Sequence, residues 1–180
     1  FVDEGSNFVM VRDYGRGVPF GIREDGENVL VSIYTKSHTG GKFSNDSYKN
    51  ASGLNGIGGS CVCLSSKEFQ VRSIRNGVCA SASFVKGELT LYTEAPTTEK
   101  NGTEVRFTPD PEVFSNGEIG FSYERICEDI KNISYLYSGI TFEVSGKNAD
   151  GDTAVIKASA TTEETQLSDT VKAWIGNWTG

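Results

Sequence analysis

The sequence predicts an α+β fold in which a mostly antiparallel, mixed sheet carries helices on one face. Strand-like runs between 69 and 92 are joined by Asn76-Gly77 and Lys86-Gly87, which are typical of hairpin turns. Helical and strand patterns also alternate irregularly, which favours an antiparallel sheet over regular β-α-β units. The 180 residues are enough for one domain with a core.

The first part of the chain is predicted to contain one strand and two helices. Apolar residues mark a strand over 7–13, and a glycine-punctuated turn follows at 14–21. A helix is predicted over 26–37, although its β-branched residues weaken the prediction. The polar segment 39–59 is predicted to be a long loop, of the kind that forms a lid or a binding loop and is least ordered without a ligand. A short helix over 60–66 follows it.

The middle of the chain is predicted to be mainly strands. Three runs at 69–74, 78–85 and 88–92 are rich in residues that favour strands. A fourth strand over 103–108 ends at Pro109-Asp110-Pro111, because proline does not donate to a sheet ladder.

The last part is predicted to have a helix, a hairpin and a second helix. Residues 121–137 place Ile126, Ile130, Ile133 and Tyr137 on one helical face. Strands at 141–144 and 153–158 are expected to pair, and 166–175 is a final amphipathic helix candidate. The sequence contains no visible internal repeat.

Composition excludes some functions. The formal net charge is -7, whereas a domain that binds duplex DNA by itself is usually basic, so no direct DNA binding is expected. No signal peptide or long apolar run is visible, which predicts a cytoplasmic protein without a membrane span. One histidine and four cysteines without a C-x-x-C pair make a zinc site improbable and favour reduced thiols.

Two features could bind a ligand, and each has an ordinary alternative. The glycine cluster 53–59 precedes a helix start, where free N–H groups can hold phosphate oxygens, but it could also be a flexible loop. It matches neither a Walker A loop nor a dinucleotide fingerprint. Asp13, after the first strand, could form a turn or could accept the amino group of a purine.

Three segments in this order carry a family resemblance: D-Y-G-R-G-V-P at 13–19, H-T-G-G-K-F at 38–43 leading to the glycines at 53–58, and G-T-E-V-R-F-T-P at 102–109. The set resembles the B subunits of the bacterial type IIA topoisomerases, DNA gyrase and topoisomerase IV, over about residues 8–145. It implies the two-layer fold of the wider GHKL, or Bergerat, ATPase superfamily.

The resemblance implies a role for each matching residue. Asp13 would accept the adenine amino group, with Thr103 supporting that contact, and Arg16 would flank the rim where aminocoumarin inhibitors bind. The glycine backbone would wrap the triphosphate beneath a lid. The residues so assigned to ATP are Asp13, Gly15, Arg16, Gly17, Val18, Pro19, Lys42, Tyr48, Gly53, Leu54, Asn55, Gly56, Ile57, Gly58 and Thr103.

Plainer readings of single residues stay open. Thr103 could be an ordinary strand threonine, and Arg16 and Lys42 could be solvated charges. Tyr48 could simply pack within its loop. The chain also departs from the family: Asn55 replaces a usual histidine, and 80–82 lacks an inhibitor-contacting arginine.

The family's catalytic glutamate and magnesium-binding asparagine lie on a helix upstream of the first strand of this sequence. We therefore expect residues 1–180 to be a partial ATP-binding domain without its own general base or metal ligand, and inactive alone. The resemblance implies ATP and Mg²⁺ as ligands, and a parent topoisomerase in which a homodimer of B subunits acts with the A subunits and DNA. The alternatives are a non-catalytic nucleotide- or inhibitor-binding module and a kinase or chaperone relative.

Overall fold

The computed structural model describes residues 1–36, 57–114, 119–137, 139–147 and 153–159. The chain divides into two compact units, one formed by Asn7–Ile119 and the other by Phe1–Ser6 with Gly120–Gly180. The candidate site residues named above all belong to the first of these.

The Asn7–Ile119 unit is built on a sheet whose described strands lie in the order β5-β4-β3-β6-β2, and every neighbouring pair is antiparallel. This agrees with the mostly antiparallel sheet that the sequence predicts. The strands are β2 (Phe8–Arg12), β3 (Ser66–Arg75), β4 (Val78–Val85), β5 (Glu88–Pro96) and β6 (Gly102–Pro109).

Both predicted hairpin turns are confirmed. Asn76 and Gly77 have φ angles of 52° and 77°, and Lys86 and Gly87 have φ angles of 50° and 79°. Two consecutive residues with positive φ are the signature of the tight turn whose twist matches that of the flanking strands. The turns therefore set the registers of β3 with β4 and of β4 with β5.

Two helices cover one face of this sheet and enclose its core. They are α1 (Val29–Thr35), capped by the Asn28 side chain that accepts from the Val31 N–H at 3.1 Å, and α2 (Gly58–Leu64). Alternate residues of the strands point at the helices, and this period-two burial is what a one-sided sheet requires. The core cluster is Leu30, Tyr34, Cys63, Phe69, Val71, Ala80, Ala82 and Phe84.

The helix boundaries differ from the predicted ones. The first helix covers Val29–Thr35 rather than 26–37, and the second covers Gly58–Leu64 rather than 60–66. Ser66 pairs with Pro109 in the sheet, and the Asp110 N–H donates to the Ser65 carbonyl at 2.9 Å. Helix α2 therefore ends before Ser66, because Ser66 pairs with β6 and is part of the sheet. The strands β3, β4, β5 and β6 start and end within a few residues of their predicted limits.

The opposite face of the sheet is polar and carries an ion-pair cluster. Register places Glu104 of β6 between Arg12 of β2 and Arg72 of β3. Arg12 and Arg72 each lie 3.5 Å from the Glu104 carboxylate, and Arg106 lies 2.7 Å from it. Glu104 is 7% exposed, so this carboxylate is buried under its three arginine partners.

The second unit combines three strands and one helix in its described part. Strand β1 (Val2–Asp3) pairs in parallel with β7 (Phe142–Lys147), and β7 pairs antiparallel with β8 (Thr153–Ala158). The parallel pair makes the described strands mixed, and the β7–β8 pair confirms the predicted hairpin. The third helix, α3 (Tyr123–Ser134), packs on β7, where the Tyr123 hydroxyl donates to the Val144 carbonyl at 3.3 Å.

Helix α3 is shorter than predicted, and of the four residues predicted to share its packed face, Ile126, Ile130 and Tyr137 are half-buried. It ends at Ser134 rather than at 137, and Ile133 is 38% exposed. Its buried residues are Tyr123 and Ser134, because contact with β7 and the polar cap at Ser122 set its orientation. The predicted helix at 166–175 lies outside the described residues. None of the helices in the described part is long and apolar enough to cross a bilayer.

Candidate functional site

The turn that follows β2 holds most of the predicted site residues, and Thr103 of β6 fixes it at two points. The Asp13 N–H donates to the Thr103 carbonyl at 2.9 Å. The Val18 N–H donates to the Thr103 hydroxyl oxygen at 3.2 Å. One threonine thus binds both ends of the turn, so its side chain has a specific structural partner, unlike an ordinary strand threonine.

A second hydroxyl holds the same turn from the neighbouring strand. Ser73 of β3 is opposite Thr103 in register, is fully buried, and donates to the Val18 carbonyl at 2.5 Å. Both backbone polar groups of Val18 are therefore satisfied by side chains of the sheet. Sequence analysis missed Ser73, although period-two burial along β3 could have shown that it faces the helices.

Two glycines let the turn lie directly on the sheet. Gly17 has a φ of 74°, and a Cβ there would lie 2.6 Å from the Ile74 carbonyl oxygen. Gly102 has a φ of 151°, and a Cβ there would lie 2.0 Å from the Asp13 carbonyl oxygen. No other residue can occupy either position without moving backbone. Gly102 is a contributor that sequence analysis did not assign to the site, although it opens the quoted G-T-E-V-R-F-T-P segment.

The Asp13 side chain helps to form the turn, as one of its two predicted roles requires, and it can still accept further hydrogen bonds. Its Oδ1 atom accepts from the Gly15 N–H at 2.8 Å. Within the described residues its other oxygen accepts no hydrogen bond, and the side chain is exposed. An ionised carboxylate has about four acceptor positions, so Asp13 can still accept from an amino group of a ligand.

Tyr34 of α1 is a polar group beside the site that sequence analysis missed. It is 7% exposed, and its ring centroid lies 5.2 Å from that of Phe69. Burial, and secondarily the charge of Asp13, raise the pKa of the Tyr34 hydroxyl well above its ordinary value. The hydroxyl is protonated near neutral pH, as that of an ordinary tyrosine also is, and it can act as a donor. No motif marks it; only packing reveals it.

The remaining described candidates have looser surroundings. Val18 packs against the core cluster, and Pro19 is half-buried. Ile57 occupies the N-cap position of α2, and a Cβ on Gly58 would meet no atom within 4 Å. Arg16 is exposed and makes no ion pair or hydrogen bond within the described residues, so its surroundings match those of a solvated charge.

The structure thus brings together Asp13, Gly15, Gly17, Val18 and Thr103, and it adds Ser73, Gly102 and Tyr34 beside them. The ATP-binding roles of these residues stay predictions. Six other candidates, and most of the predicted loop over 39–59, lie outside the described residues: Lys42, Tyr48, Gly53, Leu54, Asn55 and Gly56.

Two further chemical features bear on the site. The part of the chain that the structure describes contains no group of three His, Cys, Asp or Glu residues arranged to hold a metal. The four cysteines are free thiols; Cys61 and Cys63, two apart on α2, are exposed and buried respectively.

Several of the relatives found by comparison with known proteins are B subunits of DNA gyrase or DNA topoisomerase 4. No family model matches the chain. It is 34% identical over 148 residues to the B subunit of DNA gyrase from Streptococcus pyogenes serotype M3, a match that covers 81% of this chain and 23% of that protein. It is 39% identical over 139 residues to the B subunit of DNA topoisomerase 4 from Rickettsia felis, covering 75% and 21%.

A third relative extends the pattern to another bacterium. The B subunit of DNA gyrase from Thermotoga maritima is 38% identical over 143 residues, and the match covers 78% of this chain and 22% of that protein. The chain therefore matches most of its own length but spans only about a fifth to a quarter of each relative.

Proposed function

Because this chain is related to the B subunits of the type IIA topoisomerases DNA gyrase and topoisomerase IV, we propose that it is an ATP-binding domain of such a protein. It has the GHKL ATPase fold and holds adenine against the turn at 13–19. In the whole protein, ATP binding and hydrolysis would be coupled to a change of DNA topology. That protein would be a cytoplasmic homodimer that acts with the A subunits and DNA.

One observation carries the proposal: Thr103 binds both ends of the turn while Asp13 keeps an oxygen that no described residue uses. A turn fixed in this way presents its carboxylate in a constant position. This fixed position favours binding, because no free energy is then spent on ordering the group that contacts the ligand.

The chemistry follows from the groups present. The Asp13 carboxylate accepts from the exocyclic amino group of adenine, and the bond is charge-assisted. The Thr103 oxygen already accepts from Val18, and its own proton is available for an acceptor on the ligand or on a bridging water. Gly17 allows the ligand to approach the backbone closely.

Hydrolysis needs a base that activates water and a cation that neutralises the phosphates. We propose neither a general base nor a metal ligand among the residues of the turn at 13–19 and Thr103. In the proposed whole protein, the base and the metal ligand belong to its catalytic helix, and Mg²⁺ supplies the charge neutralisation. The role of this chain is to bind and orient the nucleotide.

The second candidate function is a nucleotide- or inhibitor-binding module that does not hydrolyse ATP. The observation that favours it is the site itself, where Asp13 is the only assigned carboxylate and already accepts from Gly15. Phosphate release separates the two. We expect the 180-residue polypeptide to show none above background, and the whole protein to hydrolyse ATP if the first proposal is right. An inactive whole protein that still binds nucleotide would establish the second.

Calorimetric titration with a non-hydrolysable ATP analogue tests the binding role. Loss of one charge-assisted bond of about 1.5–3 kcal/mol predicts that Asp13→Asn binds about tenfold or more weakly. Asp129→Asn, an equivalent change at an exposed position of α3, should bind like the parent. Equal affinities for the parent and Asp13→Asn would remove Asp13 from the site.

A further inference from the structure

Tyr34 carries a buried hydroxyl that the described part of the protein leaves without a partner. The residue is 7% exposed, and no hydrogen bond joins its hydroxyl to any residue that the structure describes. A buried tyrosine O–H usually has a hydrogen-bond partner, because removing a hydroxyl from water without compensation costs free energy. A buried hydroxyl without a partner among the described residues therefore indicates that a group outside them can bind it.

Packing holds the ring of Tyr34 in one place. The ring is tilted against that of Phe69, and the two ring centroids lie 5.2 Å apart. On another side it meets the backbone of α2, where a Cβ on Gly59 would lie 3.1 Å from the Tyr34 Cε1 atom. That carbon neighbours the carbon bearing the hydroxyl, so the hydroxyl end of the ring lies near the start of α2.

Three observations relate Tyr34 to the two segments assigned to the nucleotide. Gly59 directly follows Ile57 and Gly58, the described end of the predicted phosphate-binding loop. Val18 packs against the core cluster that contains Tyr34. Burial and, after it, the charge of Asp13 raise the pKa of the Tyr34 hydroxyl, so the carboxylate acts electrostatically on this residue.

We propose that the Tyr34 hydroxyl is a further ligand-binding group of the site and donates a hydrogen bond to the bound nucleotide. The inference rests on the proposed function and adds a residue to it. Gly59 is the complementary part of this arrangement, because a larger residue there would displace the ring. Tyr34 then contributes to selection among ligands, since only a ligand with an acceptor at that point satisfies its hydroxyl.

The substitution Tyr34→Phe separates binding from folding. It removes only an oxygen that has no described partner, so the ligand-free protein should unfold at the same or a higher temperature than the parent. Affinity for the non-hydrolysable ATP analogue should fall about three- to tenfold, the effect of one hydrogen bond between neutral groups.

Tyr123→Phe is the matched control. Tyr123 is also buried, but its hydroxyl donates to the Val144 carbonyl. This variant should lose thermal stability and keep its affinity, the reverse of the result expected for Tyr34→Phe. A tyrosine ultraviolet difference spectrum on ligand addition gives an independent readout, which should diminish in Tyr34→Phe and persist in Tyr123→Phe.

The outcomes distinguish the inference from the function on which it rests. If Asp13→Asn binds weakly and Tyr34→Phe binds like the parent, the role of Tyr34 is wrong and the nucleotide site stands. If the parent binds no nucleotide, or Asp13→Asn has no effect, the proposed site falls and this role falls with it. A ligand-free Tyr34→Phe protein that is clearly less stable than the parent would show that the hydroxyl has a structural partner, and would also overturn the inference.

Discussion

The backbone of Gly102 lies against that of Asp13, so closely that a Cβ on Gly102 would stand 2.0 Å from the Asp13 carbonyl oxygen. The same added atom would lie 3.1 Å from the Tyr14 Cα. Strand β6 and the turn that follows β2 therefore meet backbone to backbone. This contact, together with the two hydrogen bonds of Thr103, gives the turn its position.

Replacing Gly102 tests how far the turn depends on this contact. Gly102→Ala should lower the free energy of unfolding by roughly 1–3 kcal/mol, because the φ of 151° is strained for alanine and the obstructing atoms belong to the backbone. Urea denaturation measures the change. Gly120→Ala, whose new Cβ meets nothing within 4 Å, is the control and should be nearly neutral. Equal stability of the two variants would contradict the close approach.

The two hydroxyls that hold Val18 should act as a unit. Thr103→Val leaves the Val18 N–H without its acceptor, and Ser73→Ala leaves the Val18 carbonyl without its donor, so each should cost about 1–2 kcal/mol. The double variant should be less destabilised than the sum by about 0.5 kcal/mol or more, because both changes release the same residue.

Denaturation of the four proteins in this double-mutant cycle gives the coupling. Thr93→Val, at an exposed position of β5, should change little and controls for the loss of a strand hydroxyl. Strict additivity of Thr103→Val and Ser73→Ala would mean that they stabilise the protein through separate contacts.

Glu104 and Glu99 show how burial changes the contribution of an ion pair to stability, because their carboxylates share two arginine partners. Both contact Arg12 and Arg72, but the side chain of Glu104 is 8% exposed and that of Glu99 is 42% exposed. Glu104→Gln should destabilise the protein on the order of 2 kcal/mol, because it leaves half-buried arginines without a counter-charge.

Glu99→Gln should have a much smaller effect, since solvent screens an exposed pair. Added salt should diminish the effect at Glu99 more than that at Glu104. Thermal denaturation at low and high salt measures both. A larger loss from Glu99→Gln than from Glu104→Gln would show that burial does not govern this cluster.

The two cysteines of α2 should differ in reactivity. Cys61 is exposed, whereas Cys63 is fully buried, and burial raises the pKa of the Cys63 thiol to about 12. Iodoacetamide reacts with the thiolate, so at about pH 8 it should modify Cys61 and leave Cys63 unmodified in the folded protein. Peptide mass spectrometry identifies the modified site, and denaturant should make both react. Early labelling of Cys63 would mean that α2 opens readily.

The sequence predicted the elements of the fold well where local signals are strong. Glycine adopts positive φ without strain and asparagine more readily than most residues, so Asn76-Gly77 and Gly87 marked the two turns, and both hairpins and the antiparallel order of β3, β4 and β5 were correct. The boundaries of α2 were not, because the pairing of Ser66 with Pro109 is a contact between distant segments. On α3, Ile133 was predicted to share the packed face but is exposed, because the contact with β7 sets the orientation of the helix.

What the sequence alone determined is the family relationship, the α+β class and the segment 13–19 as a candidate site, since motifs and turn residues act over a few neighbouring positions. The tertiary structure decided how that segment is held and what surrounds it. Ser73 reaches Val18 across 55 positions of sequence, and Thr103 reaches it across 85. The burial of the Tyr34 hydroxyl, which has no partner among the described residues, is likewise a consequence of packing. A period-two pattern can indicate which face of a strand is buried, but long-range hydrogen-bond partners depend on how the strands and helices come together, and no local pattern encodes them.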